Sequence, residues 1–167
     1  RDGEQRHLTV SGATLLELEY PGRETGCYVG LVNALRRIGC PREDWQELWR
    51  RLVFNVLVGN DDDHPRNHAA LYSAAERRWR LAPAFDLVPN GSERPRLQAM
   101  RVDGVSRKGS REILLAVAPQ FGWSRELAER VIQEMVEGAM EAIRDLPGPE
   151  KDWLEAMVMG AGFGLRG

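Results

Sequence analysis

Apolar and polar positions along the chain alternate with a helical period over most of its length, and a short strand pair interrupts them near the middle. From Gly26 to Ile38, Tyr28, Leu31, Val32, Leu35 and Ile38 share one face, Arg36 and Arg37 stand in the last turn, and Gly39 ends the helix. A longer helix is predicted from about Pro41 to Val58. Pro41 suits a first turn, and Glu43 and Asp44 suit the positive end of the dipole. Trp45, Leu48, Trp49, Leu52, Val53, Val56 and Leu57 form a broad apolar stripe, in which the two tryptophans read as core rather than as a ligand-stacking pair. Ser110 caps a helix from Arg111 to about Gln120 with Ile113, Leu114 and Val117 inward and Gly122 past its end, and Ser124 caps the next, to about Arg144. Pro147-Gly148-Pro149 stops that helix, and a last one, Glu150 to Met159, dissolves into the loose end Gly160 to Gly164.

The remaining segments are less regular. Leu71–Ser73 and Trp79–Leu81 read as a hairpin turning through Ala74 to Arg78, and Leu97–Val102 reads as strand-like. Asp103 to Gly109 is expected to be a polar, mobile loop, and Pro89 to Pro95 a loop with an Asn90-Gly91 turn. Residues 1–11 read as polar and irregular. Ser11 caps a short helix to Leu18, which Tyr20-Pro21-Gly22 breaks. The expectation is a mainly α domain with a small β hairpin.

Composition narrows the setting. The chain has 167 residues, 43% hydrophobic and 29% charged, enough for one domain with a core. A net charge of −2 gives no bulk field for nucleic acid. The two cysteines, Cys27 and Cys40, lack metal-type spacing and read as buried thiols. No run approaches a membrane span and no signal peptide is present, so a cytoplasmic protein is expected. The chain starts at Arg1 rather than Met, which suggests a piece of something longer.

The chemistry concentrates in Gly59-Asn60-Asp61-Asp62-Asp63-His64-Pro65-Arg66-Asn67, between the apolar helix and the first hairpin strand. Three adjacent carboxylates repel one another, and none gains by burial without a positive or hydrogen-bonding partner. Asp62 precedes Asn67 by the Asp-x-x-x-x-Asn interval of a kinase catalytic loop, and a later Asp86 closes Ala82-Pro83-Ala84-Phe85-Asp86. An acid, an amide and a second acid suit phosphoryl transfer: one carboxylate takes the hydroxyl proton, and the amide and the other acid hold Mg²⁺. Read singly, His64 serves better as a buried donor bracing the loop than as acid, base or ligand. Arg66 is as well explained by a solvated charge as by a phosphate contact. The basic groups Arg94 with Arg96 and Arg107-Lys108 with Arg111 read better as solvated surface than as contacts to nucleotide, protein substrate or DNA. His7 and His68 carry no argument beyond position.

These two motifs resemble the C-terminal domain of HipA-like serine/threonine kinases, the toxins of bacterial toxin–antitoxin pairs. In that family an apolar helix leads into a Gly-x-x-Asp-x-His-x-x-Asn loop, and a hairpin follows, ending in an Ala/Thr-Pro-x-Tyr/Phe-Asp segment. The resemblance covers most of the chain, with Phe85 where Tyr is common. It implies the helical large lobe of a kinase-like fold, ATP and Mg²⁺ as cofactors, and a protein substrate. It further implies a helix-turn-helix antitoxin of the HipB type as partner, with DNA reached only through it. By carry-over Asp62 is the catalytic carboxylate with His64 supporting the loop, and Asn67 and Asp86 ligate Mg²⁺. Asp61 and Asp63 flank Asp62, which the Asn67 interval and His64 two positions on select. Residues 1–167 would then be one domain whose nucleotide-covering lobe, with its glycine loop and strand lysine, precedes Arg1. Two alternatives stand beside this reading. The loop is also similar to the His-Gly-Asp-x-His-Pro-x-Asn loop of aminoglycoside-type small-molecule kinases, with Asn60 at the first His. A non-catalytic helical domain with an acidic Ca²⁺-binding or helix-capping loop is the other, although the alternate ligands and central Gly of an EF-hand are missing.

Overall fold

A long apolar helix aimed at the acidic loop is the axis of the computed structural model, which describes residues 7–19, 25–90 and 97–160. This helix, α3, spans Arg42–Leu57, with Pro41 as its N-cap and Glu43 and Asp44 in its first turn. Before it come α1 (Gly12–Leu15) and α2 (Tyr28–Arg37); after it come α4 (Arg111–Val117), α5 (Arg125–Arg144) and α6 (Pro149–Val158). Each start has a visible local cause. The Ser11, Ser110 and Ser124 hydroxyls accept backbone N–H groups of Thr14, Ile113 and Leu127, as the orphan donors of a first turn require. At α2 the Cys27 thiol takes that place, 3.1 Å from the Gly30 nitrogen.

The apolar stripes of α2, α3, α4 and α5 meet in one core. Tyr28, Leu35, Leu48, Trp49, Leu52, Leu57, Leu114, Phe121 and Ile132 are fully buried there. Trp49 is a core side chain, as expected; its indole donates to the Leu114 carbonyl at 3.1 Å and packs beside Trp123. Trp45 lies at the edge, with the Arg36 guanidinium 4.5 Å above its ring. Both cysteines are free thiols, and burial pushes Cys40 up to about 12, with the nearby Asp44 charge adding to the shift. Truncating any of the buried large side chains would leave a cavity costing on the order of 2–5 kcal/mol.

The hairpin is present as β2 (Ala69–Ser73) and β3 (Arg78–Leu81), antiparallel with Ala70 opposite Leu81 and Ser73 opposite Arg78. A third strand was not expected. Thr9–Ser11, read from sequence as irregular, is β1 and pairs antiparallel with β2, Ser11 opposite Ala69. Three residues with one apolar side chain offer no alternation to read, and the pairing is supplied by β2. Leu97–Val102 is not a regular strand; it holds only single bridges, Leu97 to Lys108 and Arg101 to Cys27. The expected mobile stretch after it is a hydrogen-bonded turn. Asp103 accepts the N–H groups of Val105 and Ser106, which hold its carboxyl below the usual range, and Arg107 donates to the Gln98 carbonyl. The helix from Arg111 stops at Val117 and continues as a 3-10 turn, Ala118–Phe121, because Pro119 cannot donate to the α ladder. The expected helix break at Tyr20-Pro21-Gly22, the turn at Gly91, the Arg94 and Arg96 cluster and most of the glycine-rich end lie outside the described residues.

Two anchors hold the sheet and its loops on the helices. Asp44, 5% exposed, accepts Arg80 through both carboxylate oxygens and the Leu81 N–H at 2.8 Å, which fastens β3 to the start of α3. Gly12, at the start of α1, donates to the His68 carbonyl at 2.6 Å, and a Cβ there would stand 2.6 Å from the Pro65 carbonyl oxygen. Only glycine lets α1 approach the acidic loop this closely. Among the described residues, no helix is long and apolar enough to cross a membrane.

Candidate functional site

The polar loop begins where α3 runs out of helix-compatible backbone. Gly59 has φ of +61°, and a Cβ there would come within 2.8 Å of the Met157 sulfur and 3.1 Å of the Asn90 carbonyl oxygen. Asn60 then turns back, its N–H on the Asn55 carbonyl at 2.9 Å. Pro65–Asn67 forms one 3-10 turn after His64, closed by the Asn67 N–H on the His64 carbonyl at 2.9 Å.

The three adjacent aspartates part company. Asp61 is half-buried and accepts the Asn90 side-chain amide at 2.7 Å. Asp62 is exposed. Asp63 is 1% exposed and points inward, accepting the Tyr28 hydroxyl at 2.6 Å and the Ala99 N–H at 2.5 Å. Burial pushes the Asp63 carboxyl up to about 6, against the opposing pull of Tyr28 and the backbone N–H groups of Ala99 and Met100. Tyr28 in turn is held well above its ordinary range by burial and the Asp63 charge, so it remains a donor. Of the three, Asp62 alone presents its carboxylate to solvent.

Asn67 lies against Asp62 as the five-residue interval implied. Its side-chain nitrogen donates to the Asp62 carbonyl at 3.0 Å, which commits the amide's donor end and leaves Oδ1 as the end able to ligate. Asp86 lies in the segment between β3 and Asn90, and the ends of that segment are fastened to the two elements that flank the loop, β2 and the C-terminus of α3. The Ala82 N–H donates to the Ala69 carbonyl at 2.8 Å, and the Asn90 N–H to the Val58 carbonyl at 3.3 Å. Asp86 itself is exposed, with φ of +56°. A left-handed Asp costs on the order of 1 kcal/mol, and such outliers persist where the surroundings fix them, often at ligand sites.

His64 and His68 depart from expectation. His64 was expected to donate and brace the loop, yet its buried Nδ1 has no partner among the described residues. His68, for which sequence offered no argument, is 2% exposed and packs edge-on against the Tyr28 ring at 5.4 Å between centroids, with neither ring nitrogen bonded. Burial pulls it down to about 4, and Arg51 and His64 add to that pull. Also unread were Asn55 and Asn60, 1% and 4% exposed, which join Tyr28 and Asp63 in one buried network. A polar Asn55 on the apolar stripe of α3 was the available signal, because a buried amide demands partners. Arg66 and Arg107 are exposed.

The donor set fits Mg²⁺ better than a metal held by protein alone. Among the described residues no three His, Cys, Asp or Glu side chains gather to hold a metal. A hard cation that takes one or two protein oxygens and completes its shell from phosphates and water needs no such cage. Asn67 Oδ1 and the exposed Asp86 carboxylate are oxygens of the kind such a cation takes.

The sequence matches the family described as the HipA-like C-terminal domain over residues 1–143. The chain belongs to that family. Among solved structures, this HipA-like chain is similar to HipA of Shewanella oneidensis MR-1, determined as a toxin–antitoxin complex with HipB and its operator DNA. The TM-score is 0.75 at 19% identity, over 96% of this chain and 46% of that one. It is also similar to the proinflammatory kinase CtkA of Helicobacter pylori, with a TM-score of 0.55 at 16% identity, over 98% of this chain and 71% of that one. At these identities the likeness is one of fold. The HipA-like chain spans about half the length of the Shewanella protein. No curated protein matches it by sequence.

Proposed function

We propose that this chain is the catalytic, Mg²⁺-binding large lobe of an ATP-dependent serine/threonine protein kinase of the HipA type. One observation carries the reading: an exposed Asp62 has its peptide carbonyl held by Asn67, on a loop whose two flanking elements, α3 and β2, hold the ends of the Asp86 segment. The Asp62 carboxylate orients a serine or threonine hydroxyl and takes its proton. The hydroxyl oxygen forms a bond to the γ-phosphorus as the bond from that phosphorus to the bridging β–γ oxygen breaks, and ADP leaves with that electron pair. Asn67 and Asp86 would hold Mg²⁺, which when bound offsets charge on the phosphate oxygens. Gly59, packed under Met157 and Asn90, fixes the level at which Asp62 leaves α3.

No glycine-rich phosphate loop followed by a strand lysine occurs in the 167 residues, so the reading assigns the nucleotide-covering lobe to sequence outside them. The chain alone is therefore expected to be inactive or nearly so. The partner proposed is a small HipB-type helix-turn-helix protein, with operator DNA reached through it; the Shewanella complex supports this by likeness. The deciding experiment is γ-phosphate transfer by the full-length protein, assayed with protein and with sugar-like acceptors. Transfer to serine or threonine that disappears in Asp62→Ala supports the reading. Transfer confined to small acceptors, or undiminished in Asp62→Ala, overturns it.

A further inference from the structure

The buried polar groups behind the loop form a chain of bonds that starts at the Asp62 N–H and ends at the Asp63 carboxylate. The Asp62 N–H donates to Asn60 Oδ1 at 3.3 Å, and Asn60 Nδ2 donates to Asn55 Oδ1 at 3.1 Å. Asn55 Nδ2 donates to the Tyr28 oxygen at 3.0 Å, and the Tyr28 hydroxyl donates to Asp63 Oδ2 at 2.6 Å. Four hydrogen bonds thus leave the nitrogen of one residue and return to the carboxylate of the next. Gln98, 1% exposed, braces the ring; with its amide nitrogen turned to the loop it donates to the Asn60 carbonyl at 3.1 Å and to Asp63 Oδ2 at 2.9 Å. On the other side of the same residue Asn67 holds the Asp62 carbonyl. Both polar groups of the Asp62 backbone are therefore engaged, and only its side-chain torsions remain free.

Nothing in this ring touches solvent enough to meet a substrate. Tyr28 is fully buried, and Asn55, Asn60 and Asp63 are 4% exposed or less. Its anchors lie on three separate parts of the fold: α2 through Tyr28, α3 through Asn55, and the stretch after residue 97 through Ala99 and Gln98. A buried network of this kind is costly unless every member is paired, and paired it fixes geometry more firmly than apolar packing does. A carboxylate that must meet a hydroxyl within hydrogen-bond reach loses rate steeply with small misplacement.

We propose that Tyr28, Asn55, Asn60 and Asp63 are positioning residues for the phosphoryl transfer, acting as one ring that sets the direction of Asp62. This rests on the kinase reading given above. Tyr28→Phe keeps the aromatic ring edge-on against His68 and removes the hydroxyl that serves two of the four bonds; Asn60→Ala opens the circuit at the loop side. In the full-length protein both should lower kcat about tenfold to a hundredfold with the KM for ATP within about twofold, because Asn67 and Asp86 are untouched. Val32→Ala, a fully buried neighbour on α2 outside the ring, is the packing control and should keep kcat within about twofold. Hydrogen–deuterium exchange on the same proteins should show peptides spanning Gly59 to Asn67 exchanging about tenfold faster in the two ring variants and unchanged in the control.

Unaltered loop exchange in both ring variants overturns the proposal whatever the activity. Faster exchange with undiminished kcat overturns the positioning role, and so does an equal fall of kcat in Val32→Ala. A parent protein that transfers phosphate to no acceptor fails the kinase reading and the positioning role with it, while the exchange measurement still decides whether the ring holds the loop.

Discussion

Asp63 and His68 place opposite demands on pH, and their near-cancellation can be taken apart. Burial raises the Asp63 carboxyl from an ordinary value of 3.8 to about 6, so the folded state holds its proton where the unfolded chain has released it. That contribution is fully present below pH 3.8 and is lost as pH rises through about 6. His68 falls from 6.5 to about 4, so the unfolded chain takes a proton the folded state refuses. Its contribution is present above pH 6.5 and is lost as pH falls through about 4. At about 1.4 kcal/mol per unit, each is worth about 3 kcal/mol over nearly the same window, with opposite sign. Between pH 4 and 6.5 the two offset one another. Removing either exposes the other: relative to the parent, His68→Phe should gain about 3 kcal/mol on going from pH 7 to pH 4, and Asp63→Asn should lose about as much. Urea unfolding at four pH values across the window measures both differences. Variant curves that run parallel to the parent curve would refute the assignment of these two groups as the titrating pair.

The other expectations are simpler to state. Asp62→Ala or Asp86→Ala in the full-length protein should cut ATP turnover on the order of 10³-fold or more, read as phosphate transferred per unit time. Asp44→Ala leaves the Leu81 N–H and the inner face of Arg80 without their acceptor and should cost about 2–4 kcal/mol in chemical denaturation. Gly12→Ala drives a methyl group against the Pro65 carbonyl and should destabilise by about 1–3 kcal/mol, with faster amide exchange at Arg66 to His68.

How far the sequence reached follows from what its patterns encode. The stripes of α2, α3 and α5 repeat at the spacing of a helical turn over three or more turns, and the structure has those helices with ends within a few residues of the expected ones. Serine caps announced three helix starts, because the cap bond is made within one turn of chain. β1 escaped because its pairing partner lies some sixty residues away, and a three-residue strand holds no period of its own. Leu97–Val102 misled for the complementary reason: apolar residues at alternate positions are equally consistent with one bridge at each end. At the site, the Asp62 to Asn67 spacing could be read because it is local, and the structure joins the two residues by a hydrogen bond. The partners of Asp63 could not, since Tyr28 and Ala99 are each more than thirty residues distant and reach it only through the tertiary fold.

Three consecutive carboxylates look like an electrostatic liability, and their environments show why the loop tolerates them. Asp61 accepts a hydrogen bond from the Asn90 side-chain amide, a contact that helps to close the segment carrying Asp86. Asp63 meets at least three donors in a dry setting and sits near the pH at which it sheds its charge. Asp62, between them, keeps its carboxylate in solvent, where screening is strongest. The Tyr28 and Ala99 bonds that lock Asp63 inward leave the adjacent Asp62 on the solvent side of the loop. The buried Asp63 and the exposed Asp62 are thus two sides of one constraint: the fold spends a desolvated carboxylate to aim a solvated one. On the kinase reading, a loop of Asp62 alone, flanked by small neutral residues, would carry the same carboxylate on a backbone without the Tyr28 and Ala99 anchors that fix its direction toward a hydroxyl.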